Sequence, residues 1–348
     1  MSDIIIDGRS ISVRHSPYVI AELSANHNGK LETAMRLVEE AAKAGADAIK
    51  LQTYTADTIT LDCDSDEFQI HGGLWDGKSL YQLYQEAHMP WEWHEPLFKH
   101  ARAHGITIFS SPFDTTAIDL LEDLNAPAYK IASFEAIDLP LIKYAAGTGK
   151  PMIISTGMAD AQEIQEAIDA ARSGGCQQLA ILHCVSGYPA PAAEYNLRTI
   201  PNMIAQFGVP VGLSDHTLDN ATAIASVALG VCIIEKHFTL NRGGGGPDDS
   251  FSLEPPDLLQ LCRDARTAWE AMGRIDYGQK ASERANIKFR RSLYFVRDLA
   301  KGAVIAAADV RSVRPGYGLP PKNLEAVIGR RTRREIKANT ATSWDCLE

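Results

Sequence analysis

From Tyr18 onward, short apolar runs that end abruptly in polar residues alternate with segments whose apolar positions recur three and four residues apart. Runs such as Pro151-Met-Ile-Ile154 predict strands buried on both faces, and the longer period predicts amphipathic helices. Strands are expected to begin near Tyr18, Ala46, Ile106, Ala128, Met152, Leu179, Val209 and Val231. Eight strands alternating with eight helices over about 260 residues specify an α/β fold, a (β/α)8 TIM barrel. Helix signals fit that reading. Leu31 to Ala44 is stopped by Gly45, Asp160 caps Ala161 to Arg172, and Pro255-Pro256 opens the helix that runs on through Asp257 to Gly273. Ahead of the barrel, Ile4-Ile-Ile-Asp7-Gly8-Arg-Ser-Ile-Ser-Val13 reads as an N-terminal β-hairpin with an Asp-Gly turn, placed to plug the barrel bottom.

Two stretches depart from the alternation. About forty residues separate the second strand from the helix before the third, and they hold Trp75, Tyr81, Trp91 and Trp93. Connections that long are usually lids or binding segments, so this one is expected to cover a substrate. After Gly273 a polar stretch from Asp276 to Ile287 reads as a linker, and from Phe289 short apolar runs are punctuated by Lys301-Gly302, Arg314-Pro315-Gly316 and Leu319-Pro320-Pro321. The expected organisation is a barrel over 1–275, a linker over 276–287 and a small, mostly β domain over 288–348.

Charge sharpens that division. The whole chain carries a net charge of −10, yet from Asn286 onward there are 13 Lys+Arg against 6 Asp+Glu. A basic tail is joined to an acidic body, either because the two attract or because the tail brings a cation to an anionic ligand. Nucleic acid is a poor partner, since the basic residues are not interleaved with stacking aromatics. No apolar run reaches the roughly 20 residues of a membrane span, and no basic-then-apolar leader opens the chain. A soluble cytoplasmic protein without membrane contact is expected, with its six cysteines reduced because none forms a CxxC pair.

Chemistry gathers at the strand ends. Val209-Pro-Val-Gly-Leu-Ser-Asp-His216-Thr and Val231-Cys-Ile-Ile-Glu-Lys-His237-Phe-Thr are apolar runs with a histidine at equivalent positions. Alternate residues share a strand face, so Ser214 goes with His216 and Glu235 with His237. One such histidine is ordinarily a locally bonded strand-end residue, whereas two converging from neighbouring strands begin a divalent metal site. The other strand ends supply Glu22, Lys50, Gln52, Ser110, Ser111, Lys130, Ser133, Glu135, Ser155, Ser186, Tyr188 and Asp215. Two lysines within a ring of hydroxyls compose an anion pocket suited to a phosphate and a carboxylate. Gly243-Gly-Gly-Gly246 lacks the ending and the following helix of a phosphate loop, and reads as a mobile loop with Asp248 or Asp249 beyond it as a ligand to a sugar hydroxyl or a metal.

Taken together, Ala21-Glu22-Leu-Ser-Ala-Asn26-His27-Asn-Gly29, Ala48-Ile-Lys50-Leu-Gln52, Ser111-Pro-Phe-Asp, Tyr129-Lys130-Ile-Ala-Ser133-Phe-Glu135, Ser155-Thr-Gly157-Met, Tyr188-Pro-Ala-Pro191, Gly212-Leu-Ser-Asp-His216-Thr, Glu235-Lys-His237-Phe-Thr and Arg314-Pro-Gly316 resemble the sialic acid synthase family. The likeness spans nearly the whole chain, and its end resembles that family's SAF (antifreeze-like) domain. Gly73-Leu-Trp75-Asp-Gly-Lys-Ser-Leu-Tyr81-Gln-Leu-Tyr84-Gln-Glu-Ala87 and Pro90-Trp91-Glu-Trp93 are similar to the pseudaminic acid branch rather than the N-acetylneuraminate branch.

That resemblance implies condensation of phosphoenolpyruvate with an open-chain acetamido sugar, a 2,4-diacetamido-2,4,6-trideoxyhexose, to give a nine-carbon 2-keto acid and phosphate. It implies His216 and His237 as ligands of a divalent metal, manganese or magnesium. Lys50, Gln52, Ser111, Lys130, Ser133, Ser155 and Ser214 would bind phosphoenolpyruvate. Glu22, Glu135, Tyr188 and Asp248 would face metal, water or sugar, with Glu135 stabilising positive charge at C2 and accepting a proton from water. Arg314 would reach the barrel of a partner subunit in a domain-swapped homodimer. The family commonly carries Asn where this chain has Ser186. N-acetylneuraminate or legionaminate synthesis, a Schiff-base aldolase and a non-catalytic sensor of a phosphorylated ligand are the rival expectations.

Overall fold

The computed structural model describes residues 3–348 and divides into two compact units, one ending at Gly273 and one spanning Arg274–Glu348. In the first, β1 (Ile4–Ile6) and β2 (Arg9–Ile11) pair antiparallel across a turn in which Asp7 and Gly8 both have positive φ, as a two-residue hairpin turn requires. Then follow β3 (Tyr18–Glu22), α1 (Leu31–Ala44), β4 (Ala48–Thr53), α2 (Ala56–Ile59), α3 (Leu80–Ala87), α4 (His94–Ala103), β5 (Thr107–Pro112), α5 (Thr115–Asp123), β6 (Tyr129–Ile131), α6 (Leu139–Ala146), β7 (Met152–Ser155) and α7 (Ala161–Ser173). The series ends with β8 (Leu179–Cys184), α8 (Thr199–Phe207), β9 (Val211–Ser214), α9 (Ala221–Val227), β10 (Ile233–His237) and α10 (Pro255–Met272). Strands β3 to β10 run parallel and close on themselves through the β10–β3 pairing, forming the expected (β/α)8 barrel.

Local chemistry sets the element ends. Gly45 terminates α1 at φ 84°, a left-handed conformation that costs a side-chain-bearing residue energy. The Asp160 carboxylate accepts from Gln162 N at 2.8 Å and Glu163 N at 2.9 Å, capping α7. Strand β9 starts two residues later than the apolar run predicts, because Pro210 has no N–H to enter a ladder. The long second connection is not structureless. It folds into α2 and α3 with intervening 3-10 turns, and Ser79 and Gln82 cap α3 reciprocally.

Two apolar layers follow from strand alternation. Val19, Ile49, Ile108, Ile154, Ile181 and Leu213 point outward and pack with the inner faces of the helices. Tyr18, Ile20, Ala48, Phe109, Ile153, Leu182 and Ile233 fill the barrel interior, and Ile4, Ile6 and Ile11 of the hairpin join that cluster as its plug.

The second unit pairs β11 (Ser292–Phe295) antiparallel with β12 (Val310–Val313) and adds a short helix, α11 (Leu324–Val327). Its core comprises Leu293, Phe295, Ile305, Val310, Val327, Ile336, Cys346 and Leu347. From inside the stretch read as a linker and two residues past it, an exposed 3-10 helix forms over Ala281–Phe289.

Candidate active site

Period-two alternation changes the barrel interior from apolar to polar at one level. Along β3 the inward residues run Tyr18, Ile20, Glu22; along β4, Ala48, Lys50, Gln52; along β8, Ala180, Leu182, Cys184; along β10, Ile233, Glu235, His237. Register carries the same level around the barrel, with His237 beside Glu22, Glu22 beside Lys50, Gln52 beside Ser111 and Cys184 beside Ser214. These side chains meet at the carboxyl ends of the strands, where barrels of this kind place chemistry.

Lys50 pairs with Glu22, donates to Ser111 Oγ at 3.2 Å, and lies 3.8 Å from Glu235 Oε1. Lys130 lies 3.3 Å from the same oxygen, and Ser214 Oγ donates to it at 3.3 Å. Gln52 Nε2 donates to Glu22 Oε1 and Ser24 Oγ, each at 3.1 Å. Burial pushes Glu235 up, yet Lys130 and Lys50 outweigh it and hold the carboxyl below its ordinary range. Burial lowers the Lys130 ammonium, whereas Lys50 is raised because Glu22 and Glu235 outweigh its burial. Beyond the lysines, Ser133 Oγ accepts from Gly157 N at 3.2 Å, and the buried Ser155 Oγ has no hydrogen-bond partner among the described residues. Ser186 lies against Gly157, whose Cβ would sit 2.2 Å from the Ser186 hydroxyl.

The two imidazoles face each other beside this pocket, ring centroids 5.4 Å apart. His216 Nδ1 is 2.8 Å from the Val185 carbonyl oxygen, which only accepts, so the proton sits on Nδ1 and Nε2 keeps its lone pair. Its backbone N–H donates to Tyr195 Oη at 2.6 Å. Burial holds His237 well below the ordinary histidine range. Its Nδ1 is buried without a hydrogen-bond partner and lies 3.7 Å from Asp248 Oδ2. A neutral, orphaned imidazole next to a second one with a fixed tautomer fits a divalent cation. Tyr188 covers the pair, 4.4 Å from the His216 ring, and Trp75 of the long connection meets Tyr188 at a tilt, ring centroids 6.0 Å apart.

Glu135 stands at the mouth with its Oε2 buried and unpartnered, and burial raises its carboxyl to about 7. Glu22 is likewise raised to about 7, burial outweighing Lys50. The glycine loop is pinned rather than free. Asp249 accepts from Gly246 N at 2.8 Å and Asn28 Nδ2 at 3.0 Å, while Asp248 turns to Ser24 and His237. Of the two aspartates left open in the sequence, Asp248 is therefore the one at the mouth.

Other residues distribute unevenly. Trp91 Nε1 donates to the Tyr54 carbonyl at 3.3 Å, and Tyr81 Oη donates to Asp57 at 3.1 Å on the exposed side of α3. Tyr84 turns inward instead, meeting Tyr54 edge to face at 5.7 Å with Glu135 as a charge neighbour. Sequence reasoning gave no role to Tyr54, Tyr84 or Cys184, and it left Glu235 in the strand-end inventory only. Strand parity alone would have promoted Glu235 and Cys184. Arg314 lies in the second unit, exposed and without a hydrogen bond or ion pair among the described residues.

A closed parallel barrel whose strand ends gather two lysines, several carboxylates and two imidazoles has the makeup of an enzyme's substrate pocket. The chain belongs to the NeuB family, whose model matches residues 37–277, and a SAF domain model matches residues 290–348. It is 41% identical to a pseudaminic acid synthase of Helicobacter pylori over 95% of this chain and 98% of that one. An N,N'-diacetyllegionaminic acid synthase of Campylobacter jejuni is 37% identical over 92% and 96%. Among solved structures, the N-acetylneuraminic acid synthetase of Leptospira borgpetersenii superposes with a TM-score of 0.73 at 29% identity, covering 83% of this chain and 96% of that one.

Proposed function

We propose that this chain condenses phosphoenolpyruvate with an open-chain 2,4-diacetamido-2,4,6-trideoxyhexose of the L-altrose type, giving pseudaminic acid and inorganic phosphate. The observation that carries the reading is the meeting, at one barrel mouth, of the His216–His237 pair with the Lys50–Lys130 pocket. End-to-end similarity to pseudaminic acid synthases selects the sugar, with the legionaminic relative somewhat more distant.

Lys50 and Lys130, with Ser111, Ser133, Ser155, Ser214 and Gln52, hold the phosphate and carboxylate of phosphoenolpyruvate. His216 and His237 would hold a divalent cation, manganese or magnesium, which would supply Lewis acidity toward the sugar aldehyde. C3 of the enol phosphate bonds to the aldehyde carbon as the C2=C3 π bond opens, and the aldehyde oxygen takes a proton from solvent and becomes a hydroxyl. Glu135, unpartnered and poised near neutrality, takes the proton of the water that adds to C2. The C2–O bond to phosphate then breaks as the new C2 hydroxyl passes its proton to the departing phosphate, and the 2-keto acid remains. Glu22 fixes Lys50 and Gln52, and Tyr188 with Trp75 provides an apolar wall against which the sugar's 6-methyl packs. Ser186 borders this wall beside Gly157, and Asp248 receives a sugar hydroxyl.

The mouth is built to be covered. Phe134, Ile137, Met158 and Leu218 follow the carboxyl ends of β6, β7 and β9 and are exposed, an apolar rim of the kind that marks an interface. We assign it to a second copy, in a domain-swapped dimer whose basic SAF unit brings Arg314 to the bound anion. Six unpaired cysteines suit a reducing cytoplasm, and no helix among the described residues is long and apolar enough to cross a membrane.

Phosphate release from phosphoenolpyruvate with each candidate sugar tests the reading. Turnover with the altro-configured diacetamido sugar is expected; turnover with N-acetylmannosamine or the legionaminic precursor alone would reassign the substrate, and binding without turnover would leave a sensor.

A further inference from the structure

We propose that the outer face of the barrel carries a second metal site, formed by Glu39 of α1 with His100 and His104 around the end of α4, that takes a borderline transition cation such as Zn2+ and not Mg2+. Each residue offers one ligand atom, and the three atoms lie within 4.8 Å of one another. His100 and His104 are four residues apart, so their rings share one face of the helix end, with centroids 4.3 Å apart. Glu39 Oε1 lies 3.2 Å from His100 Nε2, close to the roughly 3.3–3.5 Å separation of two ligands on a tetrahedral Zn2+.

The arrangement is partly organised in advance. His104 Nδ1 lies 2.9 Å from the His100 carbonyl oxygen, an obligate acceptor, so its proton sits on Nδ1 and the lone pair is on Nε2. His100 presents Nε2 to Glu39, so a cation taken up between them replaces that hydrogen bond. Glu39 and His100 are half-buried and His104 is exposed, which leaves an entry path and room for water as a fourth ligand. Two imidazoles and one carboxylate favour Zn2+, Cu2+ or Ni2+ over Mg2+, which requires an octahedral oxygen shell.

Position makes the site independent of the mouth. Glu39 and His100 belong to the outer helical layer, whereas His216 and His237 lie at the barrel mouth, at the ends of β9 and β10. A cation shared by α1 and α4 would tie together two helices that already pack on each other and would raise stability by mass action.

Calorimetric titration of the full chain with ZnCl2, in an H216Q/H237Q background that silences the mouth pair, tests the site without reference to catalysis. One equivalent of Zn2+ should bind, MgCl2 should give no heat, and H104A or E39Q should weaken Zn2+ at least about tenfold. No Zn2+ binding to that background, or an affinity unchanged by H104A, would overturn the proposal. Should circular dichroism show the background to be unfolded, the otherwise wild-type chain and H104A are compared directly. Loss of one Zn2+ equivalent in H104A supports the site, and an unchanged count overturns it.

Discussion

Glu235 Oε1 stands between the two barrel lysines, 3.3 Å from Lys130 Nζ and 3.8 Å from Lys50 Nζ. All three groups are buried, and Lys130 has no other ion pair among the described residues. Removing one partner of a buried pair leaves an uncompensated charge. E235A should therefore lower stability by about 3–5 kcal/mol in urea denaturation, and combining it with K130M should restore part of that loss. A wild-type midpoint for E235A would show that the lysines need no counter-ion.

Glu135 gives the chain a pH signature. Its folded carboxyl is raised by burial to about 7 from an ordinary 4.5, so folding favours the protonated form. The stability this contributes is complete below about 4.5 and is lost as pH rises through 7. E135Q keeps the shape without the charge and should stabilise the chain at pH 8 by roughly 1–3 kcal/mol, with no difference near pH 4. Equal stabilities at both values would place the carboxyl in water.

The same residue predicts an acid limb for the reaction. Activity of the wild type should fall as pH drops through 7, when Glu135 takes up a proton, and E135Q should retain only a small, pH-independent residue of phosphate release. An E135Q profile with the wild-type limb would assign the proton acceptor elsewhere.

Burial lowers the Lys130 ammonium, which is also the direction a Schiff-base lysine needs. Its place beside Glu235 and Lys50 argues for anion binding. Borohydride treatment with pyruvate should leave the mass of the chain unchanged. K130M should raise the KM for phosphoenolpyruvate by at least about tenfold. A trapped adduct at Lys130 would convert the reading to an aldolase.

The barrel was legible because its signals are local and repeated: eight apolar runs, capped helices and an Asp-Gly hairpin. The paired imidazoles and the two buried lysines were legible for a related reason, since strand-end parity places Lys50, Glu235 and His237 by counting alone. Where function depends on the long connection, counting fails. Trp75 reaches Tyr188 and Tyr84 turns inward, whereas Tyr81, three residues before Tyr84 on the same short helix, turns to Asp57. That choice is set by how the connection folds back on the barrel. Glu39 with His100 and His104 was illegible for the same reason, since only helix packing joins positions 61 residues apart. The glycine loop misled in the other direction, because Asn28, which fastens it through Asp249, lies 221 residues away along the chain.

The most direct measurement is phosphorus NMR of phosphoenolpyruvate incubated with the enzyme and the diacetamido sugar, before and after chelation of divalent cations, in the wild type and in H237A. Phosphate should appear only when sugar and cation are both present, and H237A should slow it by about 10³-fold or more while the phosphoenolpyruvate pocket stays intact. Phosphate released at the wild-type rate after chelation or in H237A would contradict the role assigned to the paired imidazoles.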